Sequence, residues 1–422
     1  MFGLSHGRSW CNLTFLLHGM WINAKFAGPS KVWNGIIIHG MDTPFVYDRY
    51  VTGRCFVGRK KECEILANLL DAGEHVAIYE PPKTGKMSLI QQTLMNMRSA
   101  GRQFVTTDVN LFNIRTLEDF LVKFGTTVLR ACMTTPEQFR EAVGRHLAQS
   151  HFVFDISRYY RDGTIVSMNW NPDSEDVRLM MQLPQRLAEE KGVPFYIILK
   201  EFQMLVSDPV CEDALPVIED VLREKHSKPS AAFIMTGSQV NAMKYIFEEK
   251  RYFYRKVVHL PLQPVEDKEL IEHIVKGFLY GPGKSFDRNL AMGACSLFKC
   301  HVWYLNHIAA ICDSMSKGFI NEAIMVEALN SMIALHEPRF INMVNDLTDH
   351  QLSLLVAVLD GVTRLSASEV IEKYHLNSSA NVRRVKDALK KKEIITFNEK
   401  DEPVILDPLF EYWMTKYFLE RQ

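Results

Sequence analysis

The sequence lacks an excess of charge of either sign. Its 49 lysine and arginine residues nearly balance 50 aspartate and glutamate residues, which gives a formal net charge of −1 at pH 7. A chain with this balance has no bulk attraction to nucleic acid or to an anionic membrane surface. Long hydrophobic runs are also missing. Residues 195–199 are typical of the longest runs and are far too few to cross a bilayer, so we expect no membrane segment.

Paired cysteine motifs are absent as well. The 8 cysteines are scattered along the chain, and no two of them form a CxxC pattern. The sequence therefore indicates neither a zinc site nor a thioredoxin-like redox motif, and we expect no protein-bound metal. Scattered thiols are typical of reduced and mostly buried cysteines, so we expect a cytoplasmic protein.

Residues 1–40 differ from the rest of the chain. They contain no acidic residue and show no sustained hydrophobic period, and Met41 then opens a segment that resembles an ordinary protein start. We expect residues 1–40 to be a translated leader or a disordered extension, and the fold prediction excludes them.

Residues 41–262 alternate between short apolar strands and amphipathic helices. The composition predicts strands at 75–79, 104–109, 194–199 and 231–235. Helical patterns separate these strands, and the polar stretch 151–175 is predicted to be irregular. Recurring strand–helix units predict an α/β domain with a doubly wound parallel sheet.

The pattern becomes helical after residue 262. Residues 263–345 are predicted to form a helical lid domain with helices at 267–278, 286–298, 303–316 and 322–335. Residues 346–422 then show three helical patterns, of which the last is 379–391, followed by a hairpin from 394–397 and 403–406. Three helices followed by a β-hairpin are the layout of a winged-helix domain.

Residues 80–88 have the sequence EPPKTGKMS and lie between a predicted strand and a predicted helix. The P-loop pattern is GxxxxGK[ST], and its second glycine and lysine are present. Backbone N–H groups in such a corner surround a phosphate, and the lysine reaches the β- and γ-phosphates. We therefore predict an ATP or ADP site that contains Thr84, Gly85, Lys86, Met87 and Ser88. The competing interpretation is a strand–turn–helix corner in which the Gly-Lys pair is incidental.

Three positions depart from an active P-loop ATPase. Glu80 replaces the first glycine, and Met87 replaces the hydroxyl residue that normally binds Mg²⁺. A thioether is a poor ligand for this hard cation. Lys200 follows the strand 194–199 at the place where a carboxylate normally holds the metal, whereas Glu201 keeps the carboxylate that orients water. We therefore doubt a role for Mg²⁺, and we expect the Lys200 ammonium to lie near the phosphates instead.

Six motifs follow one another along the chain: FVGR at 56–59, the corner at 80–88, LKEFQ at 199–203, TGS at 236–238, LPL at 260–262 and CHVWYL at 300–305. Their order resembles that of the archaeal-type ATPase family within the STAND and AAA+ P-loop NTPases. The resemblance covers about residues 43–418.

The family resemblance assigns roles to particular residues. It implies that Gly58 and Arg59 line the adenine side of the nucleotide, that Lys86 is the Walker lysine and that Glu201 is the Walker B glutamate. The magnesium ligands do not carry over, because Met87 and Lys200 occupy both of their positions, and hydrolysis is therefore in doubt.

The helix predicted at 379–391 is basic. The residues of this segment that would reach DNA are Arg383, Arg384, Lys386 and Lys390, followed by Lys391 and Lys392. A third helix with this charge can enter a DNA major groove and contact phosphates. The alternative is a solvated face on a domain that packs against its own ATPase module or against a protein partner, which the sequence does not identify.

The leading hypothesis is a nucleotide-dependent switch that binds ATP or ADP and hydrolyses ATP slowly or not at all. Two alternatives remain open. The first is an active AAA+ or STAND ATPase, in which Glu201 is catalytic. The second is a winged-helix DNA-binding regulator whose P-loop domain is mainly structural.

Overall fold

A computed structural model describes residues 44–207, 209–224 and 228–419. The interpretation of residues 1–40 falls outside this part of the chain. Across the described residues, none of the helices combines the length and apolar character that a membrane span requires.

The strands and helices are numbered in chain order. The strands are β1 (His75–Tyr79), β2 (Val105–Asn110), β3 (Phe152–Val153), β4 (Ser167–Met168), β5 (Phe195–Lys200), β6 (Ala231–Gly237), β7 (Val257–His259), β8 (Ser285–Phe286), β9 (Phe319–Ile320), β10 (Ile395–Phe397) and β11 (Pro403–Ile405). The first helices are α1 (Lys60–Ala72), α2 (Lys86–Ser99), α3 (Leu117–Cys132), α4 (Pro136–His146), α5 (Ile156–Asp162), α6 (Ser174–Lys191), α7 (Pro209–Glu212), α8 (Leu215–Arg223) and α9 (Val240–Lys244). The remaining helices are α10 (Asp267–Tyr280), α11 (Arg288–Leu297), α12 (Val302–Met315), α13 (Glu322–Asn345), α14 (Asp349–Leu359), α15 (Ser368–Lys373), α16 (Ser379–Lys391) and α17 (Pro408–Trp413).

The predicted α/β class is confirmed by a parallel sheet with strand order β2-β5-β6-β1-β7. Successive residues of a strand point to opposite faces of a sheet. On β1, Val76 and Ile78 pack with α1 and α2, whereas Ala77 and Tyr79 belong to the core on the side of α3, α6 and α8. Both faces are covered, which is why the strands are apolar without alternation.

The strand register aligns the carboxyl ends of three strands. Tyr79 at the end of β1 pairs with Gly237 on β6, and Lys200 at the end of β5 pairs with Thr236. The loops that follow β1, β5 and β6 therefore leave the sheet at one edge, where ligands of open α/β sheets bind.

Helices α10–α17 and the β10–β11 hairpin share one hydrophobic core, which also includes Phe45. Phe340 on α13 is fully buried and contacts Phe410 and Trp413 on α17, with ring centroids 5.5 and 5.6 Å apart. The helical lid and the winged helix are therefore joined by continuous apolar packing along the long helix α13.

Several segments differ from the sequence prediction, including α9, α17, β8 and β9, which the sequence patterns did not predict. Helix α13 continues past the expected end at Leu335 and through Pro338, because Phe340 and Val344 bury on the same core. A helix-interior proline costs about 3 kcal/mol, which burial of this kind can offset. Residues 151–175 contain helix α5 and the short β3–β4 pair instead of an irregular loop. Strand β7 was not predicted, because two of its three residues are exposed at the sheet edge.

Candidate functional site

The loop after β1 forms a tight turn into helix α2. Gly85 has φ 92°, a left-handed conformation that favours glycine, and it begins the helix without a side-chain cap. The Thr84 hydroxyl donates to the Pro81 carbonyl at 2.9 Å and closes the turn. The first N–H groups of α2 are left without intrahelical partners, as at every helix start, and this is the arrangement that binds phosphate.

The Lys86 side chain folds back over this turn. Its Nζ donates to the carbonyl oxygens of Glu80 at 2.7 Å and Pro81 at 2.8 Å. The residue is only 9% exposed, and burial lowers the pKa of Lys86 to about 8 against the opposing charges of Glu201 and Glu80. The lysine thus lies at the mouth of the loop, where a phosphate would give it a stronger, charged partner than two carbonyls.

The Glu80 carboxylate turns towards the segment after β7. Its Oε1 accepts a hydrogen bond from the Leu262 backbone N–H at 3.1 Å. Burial raises the pKa of Glu80, whereas this hydrogen bond and the charges of Lys86 and Arg59 lower it. Glu80, which replaces the first P-loop glycine, therefore has a hydrogen-bond partner of its own. Its carboxylate still interacts with the charges of Lys86 and Arg59.

Glu201 is positioned by its backbone and by two donors. It has φ 58°, and its Oε2 accepts from the Ser238 hydroxyl at 2.5 Å and from the Gln203 amide at 2.7 Å. Gly237 precedes Ser238, and a Cβ there would lie 2.3 Å from Met243. The sheet edge therefore joins Glu201 to the loop after β6, and its charge acts on Lys86.

Lys200 does not point to the phosphate loop. Its Nζ lies 3.2 Å from Asp108 Oδ2 on β2, the strand on the far side of β5 from β1. The expectation that this ammonium lies near the phosphates is therefore wrong. The physical reason is a carboxylate on the neighbouring strand, which pairs with the lysine and which the local sequence around residue 200 does not reveal.

Arg59 lies against the phosphate loop, and Gly58 precedes it in the chain. Arg59 has φ 57°, and its Nη2 donates to the Thr84 carbonyl at 2.9 Å. Its Nη1 is buried without a hydrogen-bond partner in the described structure, and burial lowers the pKa of Arg59. A Cβ on Gly58 would lie 2.5 Å from Val265, so only glycine fits there.

The N-terminal segment is tied to helix α2 by two hydrogen bonds. The Val51 N–H donates to the Ser88 hydroxyl at 3.1 Å, and the Gly53 N–H donates to the Gln92 side chain at 2.7 Å. Ser88 is thereby engaged by protein, although its own O–H proton remains available to a ligand. These bonds place residues 51–59 beside the loop, as the nucleotide assignment requires.

The residues of this site suit a phosphate group but not a magnesium ion. An orphaned Arg59 N–H, the free N–H groups of α2 and a buried lysine fit a phosphate group. The two positions that usually bind Mg²⁺ hold residues that cannot do so. Met87 packs against the apolar cluster around α1, and Lys200 is paired with Asp108.

One described cluster has metal-ligand spacing and lies elsewhere. His151, Asp173 and Asp176 bring three ligand atoms together at the start of α6. Asp173 and Asp176 form the capping box of that helix, and Asp176 also accepts from the His151 ring at 2.8 Å. These bonds fully explain the cluster as a helix cap.

The phosphate loop also contacts the lid. Lys83 Nζ lies 3.5 Å from the centroid of the Trp303 ring on α12. The Trp303 indole N–H donates to the Tyr47 carbonyl, so the ring is held from two sides. Sequence reasoning missed this cation–π contact, because Lys83 and Trp303 lie in separate motifs and nothing local to either pairs them.

The winged helix docks on helix α9, which follows the β6 loop. The Glu393 carboxylate accepts from the backbone N–H groups of Asn241 at 2.9 Å and Ala242 at 3.1 Å, and so caps α9. The Asn241 amide donates to the Ile395 carbonyl at 2.9 Å, and Lys244 donates to the Phe397 carbonyl at 2.6 Å. Sequence reasoning missed this interface, because a helix cap supplied by a distant segment has no local signature.

The predicted basic helix is α16, and part of its charge is already engaged. Lys390 pairs with Glu249 at 3.1 Å, and Lys386 lies 4.1 Å from the Phe397 ring centroid and 3.8 Å from Asp401. The exposed basic side chains of this segment are Arg383, Arg384, Lys391 and Lys392.

Comparisons with known proteins agree with this architecture. A family model described as a probable winged helix domain matches residues 338–416. A Walker-type ATPase of Pyrococcus abyssi aligns with a TM-score of 0.61 and 15% identity, over 88% of this chain and 99% of that chain. An ORC2 protein of Aeropyrum pernix in its ADP form aligns with a TM-score of 0.50 and 16% identity, over 87% and 93% of the two chains. No curated protein matches the sequence.

At these identities the likeness concerns the fold. The chain is similar to a Walker-type ATPase over nearly all of that protein, and its C-terminal part is similar to a winged helix. Both findings agree with the family resemblance drawn from the motifs, and the expected order of a P-loop α/β domain followed by a winged helix is confirmed.

The histidines beside the loop predict a pH-dependent stability. Burial lowers the pKa of His301 and of His307 from 6.5 to about 4, and the nearby charge of Lys83 acts in the same direction. Between these pH values the unfolded chain binds more protons, so stability is lost as pH falls. We expect the free energy of unfolding to drop between about pH 7 and 5, by at most about 1.4 kcal/mol per pH unit for each histidine.

Urea unfolding across this pH range measures the effect. The variants His301→Gln and His307→Gln should each flatten the profile, whereas His375→Asn, at an exposed position, should leave the slope unchanged. A parent protein whose stability is the same at both ends of the range would contradict the prediction.

Proposed function

We propose that this chain is a nucleotide-dependent switch with weak or absent hydrolysis. The observation that carries the proposal is a route from the phosphate loop to the winged helix. It runs through the charge interaction of Lys86 with Glu201 and then through the hydrogen bonds of Ser238 and Glu393. ATP or ADP would bind at Thr84, Gly85, Lys86, Met87 and Ser88, with Gly58 and Arg59 on the adenine side.

The first step of the switch is recognition of phosphate. Lys86 would exchange its bonds to two backbone carbonyls for a charged partner, and the Arg59 Nη1 would gain the partner that it lacks. The likeness to an ORC2 protein described in an ADP form supports this ligand class at the level of the fold.

The second step carries the change to the winged helix. Glu201 is the carboxylate whose charge acts on Lys86, and Ser238 links it to the loop after β6. That loop leads directly into α9, whose first N–H groups are capped by Glu393. A shift of Glu201 or Ser238 on binding would therefore displace α9 and change how the winged helix docks.

The alternatives receive less support. An active ATPase needs a metal anchor, and its two usual positions hold Met87 and Lys200. A DNA-binding regulator would use Arg383, Arg384, Lys386 and Lys390, but the last two already contact Asp401 and Glu249. We therefore favour the switch over the DNA-binding regulator. The contacts of α16 with Glu249 favour a role for this helix in packing against the rest of the chain.

Nucleotide binding should depend on Lys86. A charge-assisted contact is worth about 1.5–3 kcal/mol, so Lys86→Ala should weaken the binding of ADP and ATP at least about tenfold in calorimetry. Lys317→Ala, which removes an exposed lysine in the turn before β9, serves as the matched control and should bind like the parent. Equal affinities of Lys86→Ala and the parent would remove the basis of the assignment.

Turnover should be far below that of phosphoryl-transfer enzymes such as kinases, for which about 1–100 s⁻¹ is typical. The triple variant Met87→Thr, Lys200→Asp and Asp108→Asn restores both metal-binding positions. Asp108 is changed because Lys200→Asp would otherwise leave two carboxylates facing each other. We expect Mg²⁺-dependent phosphate release to appear in this variant and to be lost again with Glu201→Gln. Rapid Mg²⁺-dependent hydrolysis by the unmodified protein would favour the active ATPase.

Coupling to the winged helix should require Glu393. Loss of a helix cap costs about 1 kcal/mol, so Glu393→Ala should increase hydrogen exchange in α9 and in the β10–β11 hairpin. In the parent, ADP should change the exchange of both segments, whereas in Glu393→Ala the response of the hairpin should be lost. Glu399→Ala, at the exposed turn of the same hairpin, is the control. An undiminished hairpin response without Glu393 would show that the signal takes another route.

A further inference from the structure

The charged side chains around the phosphate loop nearly cancel. The cations include Lys86, Arg59, Lys83 and Lys244, and the carboxylates include Glu80, Glu201 and Glu62. A polyphosphate that binds here without a metal ion must be neutralised by the small surplus of positive charge that these side chains leave.

Two of the nearby cations already interact with side chains outside the phosphate loop. Lys83 lies over the Trp303 ring in the lid, and Lys200 is paired with Asp108 on β2. Among the cations of the described residues, Lys86 and Arg59 alone donate to the backbone of the loop. Positive charge is therefore concentrated at one point instead of being spread along a chain of three phosphates.

Glu80 reduces this positive charge further. An active P-loop has an uncharged glycine at this place. Here the Leu262 N–H holds a carboxylate whose charge interacts with Lys86, Arg59 and Lys244. Because the anchor is a backbone N–H, the Glu80 side chain is held in place by the segment after β7.

We infer that Glu80 makes the site selective for a nucleoside diphosphate over a triphosphate. This inference rests on the proposed function and names its resting ligand. ATP carries one more negative charge than ADP, and neither Met87 nor Lys200 supplies a metal or an ammonium to neutralise it. An unneutralised charge is costly in a partly buried site, and the fixed carboxylate adds repulsion to that cost.

Calorimetric titration with ADP and with ATP, both in EDTA, tests the inference. The parent should bind ADP at least about fivefold more tightly than ATP, a difference of about 1 kcal/mol. Glu80→Gln keeps an oxygen that accepts from the Leu262 N–H and removes only the charge, so it should strengthen ATP binding more than ADP binding. Glu80→Gly restores the P-loop pattern and also removes the charge, so it should likewise reduce the preference for ADP over ATP. Glu327→Gln, which neutralises an exposed carboxylate on α13, should not change the preference.

The outcomes separate this inference from the proposed function. Equal or reversed affinities of the parent for the two nucleotides would overturn the selectivity alone, and so would a preference for ADP that persists in both Glu80 variants. Binding of neither nucleotide by the parent would overturn the proposed function together with the inference. A cooperative thermal unfolding transition shows whether each variant is folded. If a variant does not fold, the preference of the parent for ADP over ATP still tests the inference.

Discussion

The register of the parallel sheet is the constraint on which the site depends. Tyr79 pairs with Gly237, and Lys200 pairs with Thr236, so three loops leave the sheet at the same height. This alignment brings the phosphate loop, Glu201 and Ser238 together, although they lie far apart in the chain. A shift of one residue in any strand would move its side chains from one apolar layer to the other, where the close packing of each layer would be lost.

The charges at this edge depart from the residue pattern of a hydrolytic P-loop enzyme. Each departure from the P-loop pattern has acquired a partner of its own: Glu80 accepts from Leu262, Met87 packs in the apolar cluster, and Lys200 pairs with Asp108. The partnered substitutions leave the turn and its lysine intact. They remove the positions that anchor magnesium, which is the combination expected of a site that binds phosphate without rapid chemistry.

The winged helix has two interfaces of different character, one with the lid and one with α9 of the α/β domain. The lid and the winged helix share one apolar core, whereas the contacts of the winged helix with α9 are polar and involve Glu393, Asn241 and Lys244. Apolar packing over a large area resists separation. A few hydrogen bonds at a helix terminus can break and re-form at a cost of a few kcal/mol, so the proposed switch would move at this interface.

The sequence by itself determined the class of fold, the P-loop corner and the position of the basic helix, whose bounds Ser379–Lys391 agree with the prediction. It also showed Met87 and Lys200 at the places where magnesium-binding residues are usual. These features are local, because hydrophobic periods and residue types act within a few turns of the chain. Only the tertiary structure decided the partners of Glu80, Lys200 and Glu393, since each partner lies on a segment that is distant in sequence. The continuation of α13 through Pro338 was decided in the same way, because burial of Phe340 and Val344 in a core formed with other helices outweighs the local cost of proline.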